Sequence, residues 1–142
     1  MASPSPEELA QVALFDGLTP GEQETIARWF EIEEHSAGDH LVNQGAAGYA
    51  FFVISDGTAQ VTVDGLSVRE LHPGDFFGEM SILGEGRRTA TVTATTPLTV
   101  WSLFGTRFRE LQQAEPKIAA VIEAAATSRH DADEGHGVDE RS

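Results

Sequence analysis

A mainly β domain flanked by helices is the fold class this sequence predicts, on three observations. Residues 30–104 consist of short apolar runs rich in Val, Ile, Thr and Phe, separated by turn residues. Glycines at positions 38, 45, 48, 57, 65, 74 and 78 punctuate those runs at strand-like intervals. On either side of this region, apolar residues recur at helical spacing instead. With 142 residues, 40% of them hydrophobic, the chain has material for one domain around one core.

Each element has its own signal. Residues 1–6 are rich in Pro and Ser and are expected to be disordered. A helical lead-in follows over residues 7–30. Residues 7–14 can form a helix with Leu9, Val12 and Ala13 on one side, and residues 14–18 break it. Thr19, Pro20 and Glu22 restart a helix, with threonine as cap and proline in the first turn, ahead of the stripe Ile26, Ala27, Trp29 and Phe30. The strand region is expected over residues 31–104. Asp56-Gly57 and Asp64-Gly65 read as hairpin turns between strands at residues 51–54, 59–63 and 66–68. Two more strands are expected near residues 89–95 and 98–104. About eight short strands at even spacing predict a sandwich or a jelly roll. Over residues 105–129, Phe108, Leu111, Ile118, Val121, Ile122 and Ala125 keep helical spacing, and Pro116 divides them into two helices. Residues 130–142 hold five acidic residues, two glycines and a single large apolar residue, so an acidic disordered tail is expected.

Charge narrows the function classes. The formal net charge of −14 opposes general binding to nucleic acid or to an anionic membrane, since both need an electropositive surface. One small anion is still compatible with it, given a local positive spot, and Arg87-Arg88 is the only adjacent pair of basic residues. With no cysteine, disulfides, thiolate catalysis and cysteine-bound metal are excluded. The first residues lack a basic region followed by an apolar run, and no stretch approaches bilayer-spanning length, so a cytoplasmic protein is the expectation.

The most informative stretch is residues 77–92. Gly78 followed by a short apolar turn can open a helix whose free N–H groups face an anion, and Ser81 adds a hydroxyl. Arg88 supplies a planar, permanently charged fork that can hold two oxygens of one phosphate. Glu79 is out of place beside a phosphate unless its carboxylate accepts a hydrogen bond from a neighbouring sugar hydroxyl. Taken singly, Glu79 is more simply a first-turn carboxylate, and Arg88 a surface charge paired with an acid.

Together these residues resemble the phosphate-binding cassette of the cyclic nucleotide-binding domain family. The Phe77-Gly78-Glu79 triplet is followed by Met80, Ser81, Ile82 and Leu83, the family's apolar, small, apolar, apolar pattern, and Arg88, Thr89, Ala90 and Val92 meet its closing R-[ST]-A-x-V. The resemblance extends over residues 14–129. It implies an eight-stranded jelly-roll β-sandwich or barrel with N-terminal helices and two C-terminal helices, spanning residues 7–129. It implies that Glu79 binds the ribose 2′-hydroxyl and Arg88 the cyclic phosphate, with Arg87 and Ala90 in the same cassette. Thr89 can also meet a guanine edge, although cAMP-responsive members carry it too. By the same resemblance, Val61 and Leu71 line the base pocket, each also being an ordinary core residue. Arg129, following Pro116, is the lid candidate, and a C-terminal cation favoured by the helix dipole is its plainer reading.

The expected function is therefore binding without turnover: a cyclic nucleotide, with cAMP favoured over cGMP, rearranges the C-terminal helices of a stand-alone sensor, of bacterial origin by the messenger it favours, acting through a protein effector. No enzyme activity, cofactor or metal is expected. His35, His40 and His72 lack the paired spacing a metal-binding barrel would need, and no catalytic triad stands out. A monomer or weak dimer is expected. The alternative is a jelly-roll interaction module that has lost its ligand.

Overall fold

The computed structural model describes residues 3–42, 50–78, 90–125 and 127. Its first helix, α1 (Pro6–Ala10), begins at Ser5, whose side chain accepts from the Glu8 N–H while the Glu8 carboxylate accepts from the Ser5 N–H. Within the segment expected to be disordered, Pro4 is buried and Ser5 makes this cap. The helix expected over residues 7–14 is shorter than its periodicity suggests. Val12 is extended, and a 3₁₀ turn at Ala13–Phe15 follows, so Leu9, Val12, Leu14 and Phe15 are all buried without sharing one helix. The second helix, α2 (Pro20–Ala27), carries the expected cap: Thr19 Oγ1 accepts from the Glu22 N–H, and the Glu22 carboxylate accepts from the Thr19 N–H at 2.8 Å.

Among the described residues, eight strands form two antiparallel four-stranded sheets. They are β1 (Glu31–His35), β2 (His40–Val42), β3 (Ala50–Asp56), β4 (Ala59–Val63), β5 (Leu66–Leu71), β6 (Phe76–Phe77), β7 (Thr91–Ala94) and β8 (Leu98–Phe104). One sheet has the order β1-β8-β3-β6 and the other β2-β7-β4-β5. The chain thus changes sheet at every connection except β4 to β5, which is the jelly-roll arrangement.

That topology corrects one expectation. Asp64-Gly65 is a two-residue hairpin turn, with both residues at positive φ, between the paired strands β4 and β5. Asp56-Gly57 is not a hairpin turn, because β3 pairs with β8 and β6 while β4 pairs with β7 and β5. The sequence signal is the same in both places; only the strand partners differ. Gly57 instead sits where the chain passes between sheets against the β7–β8 turn. It has φ +89°, and a Cβ there would lie 2.3 Å from the Pro97 carbonyl oxygen. Thr58 ties the two turns together, donating from its N–H to Thr96 Oγ1 at 3.0 Å and accepting the Thr95 N–H at its carbonyl.

Two apolar clusters share β3 and β8. Between the sheets lie Val42, Ala50, Phe52, Ile54, Ala59, Leu71, Phe77, Val92, Ala94, Leu98 and Val100, with Leu41 and Val61 packed against them. On the outer face of the first sheet, Phe51, Val53, Trp101 and Leu103 are covered by residues from α1, α2 and two C-terminal helices. Those helices are α3 (Gly105–Ala114) and α4 (residues 116–125). Glu115, immediately before Pro116, takes a non-helical conformation (φ −138°, ψ 69°), which places the break at the residue that the proline ring constrains. Double-sided burial explains why residues 50–54 read as an unbroken apolar run rather than an alternating one.

Candidate functional site

The short strand β6 ends at Phe77, whose ring stacks on Phe52 of β3 with centroids 4.9 Å apart. Both rings are buried in the cluster between the sheets. Gly78 then turns the chain out of the first sheet with φ +80°, a conformation a side-chain-bearing residue adopts only at a cost. The chain is described again at Ala90, in a bend directly before β7 of the opposite sheet. Gly78 and Ala90 therefore set the two ends of the cassette on opposite sheets, with the sandwich interior between them. Glu79, Met80, Ser81, Arg87, Arg88 and Thr89 lie outside the described residues, as does Arg129.

The interior wall next to these ends belongs to the second sheet. Val61 on β4 pairs with Val92 on β7 and, on its other side, with Arg69 on β5. Ala59 pairs with Leu71 and with Ala94. Directly opposed residues share a face, so Val92, Val61 and Arg69 form one row across the sheet, and Ala94, Ala59 and Leu71 the next. Val61 is half-buried and Leu71 is 1% exposed, and both belong to the cluster between the sheets. Phe77 joins the same cluster. The structure brings Phe77, Val61 and Leu71 together and places Gly78 and Ala90 at the cassette's ends.

Arg69, which the sequence did not single out, pairs with Val61 in the same row. Its position is set by a β-bulge: the β4–β5 register shifts between Val61 and Thr62, leaving Val68 as the extra residue beside Arg69. A bulge has no composition signal of its own here, so only the pairing reveals that Arg69 lies in the row of Val61.

His35 and His40 lie at strand ends and His72 just after β5. His35 Nε2 lies 3.2 Å from Glu33 Oε1, His40 Nδ1 2.8 Å from Thr93 Oγ1, and His72 Nε2 2.7 Å from Glu70 Oε1. Among the described residues no group of three or more His, Cys, Asp or Glu is arranged to hold a metal ion, and no helix is long and apolar enough to cross a membrane. One buried polar side chain, Ser102 on β8, donates to Glu33 Oε2 on β1 at 2.6 Å, which ties the two paired strands together.

Comparison with known proteins gives the same architecture. The chain is 35% identical over 105 residues to the cAMP-dependent protein kinase regulatory subunit of Colletotrichum orbiculare, covering 72% of this chain and 27% of that protein. It is 35% identical over 86 residues to a cGMP-dependent protein kinase of Toxoplasma gondii, covering 61% and 9%. The chain thus spans about a quarter or less of the length of these curated relatives. Among solved structures, the catabolite activator protein of Thermus thermophilus superposes with a TM-score of 0.75 at 29% identity, covering 89% of this chain and 61% of that one. Residues 32–115 match the family described as the cyclic nucleotide-binding domain, and they take in β1 from its second residue, β2 to β8, the whole cassette and α3. This chain belongs to the cyclic nucleotide-binding domain family.

Proposed function

We propose that the domain binds a cyclic purine nucleotide and converts its binding into a rearrangement of the C-terminal helices. The observation that carries this reading is the placement of the cassette: its two ends rise from opposite sheets at Gly78 and Ala90, beside an apolar interior lined by Phe77, Val61 and Leu71. In this reading Arg88 holds the cyclic phosphate, with Ser81 and the backbone after Gly78 as further donors, and Arg87 adds positive charge. Glu79 accepts from the ribose 2′-hydroxyl. Met80, Thr89 and Ala90 close the cassette around the sugar and phosphate. The base lies over Val61 and Leu71, where burial holds a purine without demanding many polar partners. Arg129 closes over it.

Transmission follows from differential affinity: a ligand shifts the helices only by binding one arrangement better. α3 and α4 pack with α1 and α2 in a single cluster on the outer face of β3 and β8, so they are in contact with the strands that also bound the ligand space. The output is a regulatory one, delivered through a protein effector, with no chemistry performed on the nucleotide. The lean to cAMP taken from the sequence rests on no residue, and relatives named for cAMP and for cGMP are equally identical to this chain.

Calorimetric titration of the protein and of Arg88→Ala tests the reading. Hydrogen bonds to charged groups contribute ~1.5–3 kcal/mol each, so loss of two should weaken binding on the order of a hundredfold or more. Retention of wild-type affinity by Arg88→Ala would exclude the assigned phosphate contact. Binding of neither cAMP nor cGMP by the wild type would instead support a jelly-roll interaction module.

A further inference from the structure

Helices α1 and α2 each begin with a proline in the first turn and a complete capping box, at Ser5 and at Thr19. Helix α3 begins with neither. Its cap residue is Phe104, whose backbone has the extended conformation a cap requires (φ −68°, ψ 148°) but whose side chain has no oxygen to accept from the first N–H groups. Gly105 follows, the residue type that loses most freedom on entering a helix, and no acid occupies the first turn. Arg107 stands three residues beyond the cap instead, where the positive end of the helix dipole disfavours a cation. Local chemistry therefore leaves this helix start weakly specified, directly after β8, the strand that borders both apolar clusters.

What holds it comes from elsewhere in the chain. The Arg107 guanidinium lies over the Trp29 ring, 4.5 Å from its centroid, and Trp29 belongs to the segment between α2 and β1. Trp29 is itself packed against the cluster beneath the helices, so its ring is a fixed platform for the cation. Arg28 pairs with Glu24 and Lys117 with Glu22, whereas Arg107 is seated on an aromatic face. A cation–π contact at an exposed site is weak enough to open and directional enough to hold one geometry. We infer that Arg107 and Trp29 form a latch on a hinge at the start of α3, and that this latch sets the balance between the arrangements of the C-terminal helices on which nucleotide binding acts. Arg107 is thus a positioning residue, acting on the nucleotide only through the helices. The inference rests on the cyclic nucleotide reading above and names the contact that tunes it.

The experiment perturbs the hinge in opposite senses. Arg107→Ala opens the latch, Arg107→Lys keeps a cation over the ring, and Phe104→Ser gives α3 the cap it lacks. Each is titrated with cAMP and cGMP beside the wild type. Arg107→Ala is expected to change nucleotide affinity by about 2- to 5-fold, with Arg107→Lys closer to wild type. Phe104→Ser should change it by a similar factor in the opposite direction, because a capped helix start resists the opening that the first variant promotes. Trp29→Leu should match Arg107→Ala, and the double variant should add nothing to either, as coupled partners do. Arg107 is exposed and Phe104 is 44% exposed. If Trp29→Leu or Phe104→Ser does not fold, the two Arg107 variants still decide. Unchanged affinity in Arg107→Ala, or shifts of the same sign in Arg107→Ala and Phe104→Ser, overturns the latch, while binding by the wild type leaves the site itself standing. Binding of neither nucleotide by the wild type overturns both.

Discussion

Gly57 shows how one residue type can carry two different constraints. Its φ of +89° alone costs a side-chain-bearing residue about 1–3 kcal/mol, and a Cβ would also press into the Pro97 carbonyl, a backbone atom that cannot swing aside. Gly57→Ala is therefore expected to cost at least that amount in urea unfolding; a loss below about 0.5 kcal/mol would show that the two turns separate freely. The sequence announced Gly57 and Gly65 in the same way, as Asp-Gly pairs between strands. Their difference lies in long-range pairing, which no local pattern encodes. Arg69 was illegible for the same reason: its neighbours in space, Val61 and Val92, are eight and twenty-three positions away, and the register that joins them depends on a bulge.

At the scale of the element, α2 is the best-specified segment. Proline at its start, threonine at its cap and Glu22 three residues on were all readable, because capping chemistry is local. Helix α1 was less so, since the extended Val12 that ends it answers to burial rather than to propensity. Glu22 also links elements. Its carboxylate lies 3.4 Å from Lys117 Nζ on α4, and the hydrogen bond from the Thr19 N–H, followed by Lys117, holds its pKa below the ordinary value of 4.5. A lowered folded-state pKa means that the ionised form stabilises the fold above the ordinary value and that this stabilisation is lost as pH falls through the folded-state value. Glu22→Gln, which can still accept the cap bond, should be less stable than wild type near about pH 7, and the difference should shrink as pH is lowered toward about 3. An equal difference at both pH values would mean that ionisation of Glu22 does not contribute.

For the whole molecule, composition and strand spacing led to a two-sheet β fold, and the family resemblance selected the jelly roll that the strand order displays. Strands Ala59–Val63 and Leu98–Phe104 fall where their turn residues put them, and the break at Pro116 divides the C-terminal helices as expected. What residue patterns could not supply was the division of apolar residues between two clusters, because Phe51 and Phe52 look alike in a run that is buried on both sides. Of the residues the resemblance names, Phe77, Val61 and Leu71 share one interior cluster, whereas the row of Val92, Val61 and Arg69 is visible only from the strand pairing.

The sheet of β3 and β8 is consequently a partition one residue thick. Phe52 and Phe77 stack on its inner side, and Phe51 and Phe76, with centroids 5.5 Å apart, occupy the same two strands on its outer side. Trp101 is buried on that outer side, and Trp29 lies nearby under the Arg107 guanidinium at 4.5 Å. These are the chain's two tryptophans, both on the helical side of the partition. The protein thus carries its own optical gauge: without any label, intrinsic emission should shift when a nucleotide fills the opposite side, and Arg107→Ala should alter the part owed to Trp29. An unchanged spectrum at saturating nucleotide would show that the partition insulates the two sides from each other, and a shifted one would time the passage of the signal across it.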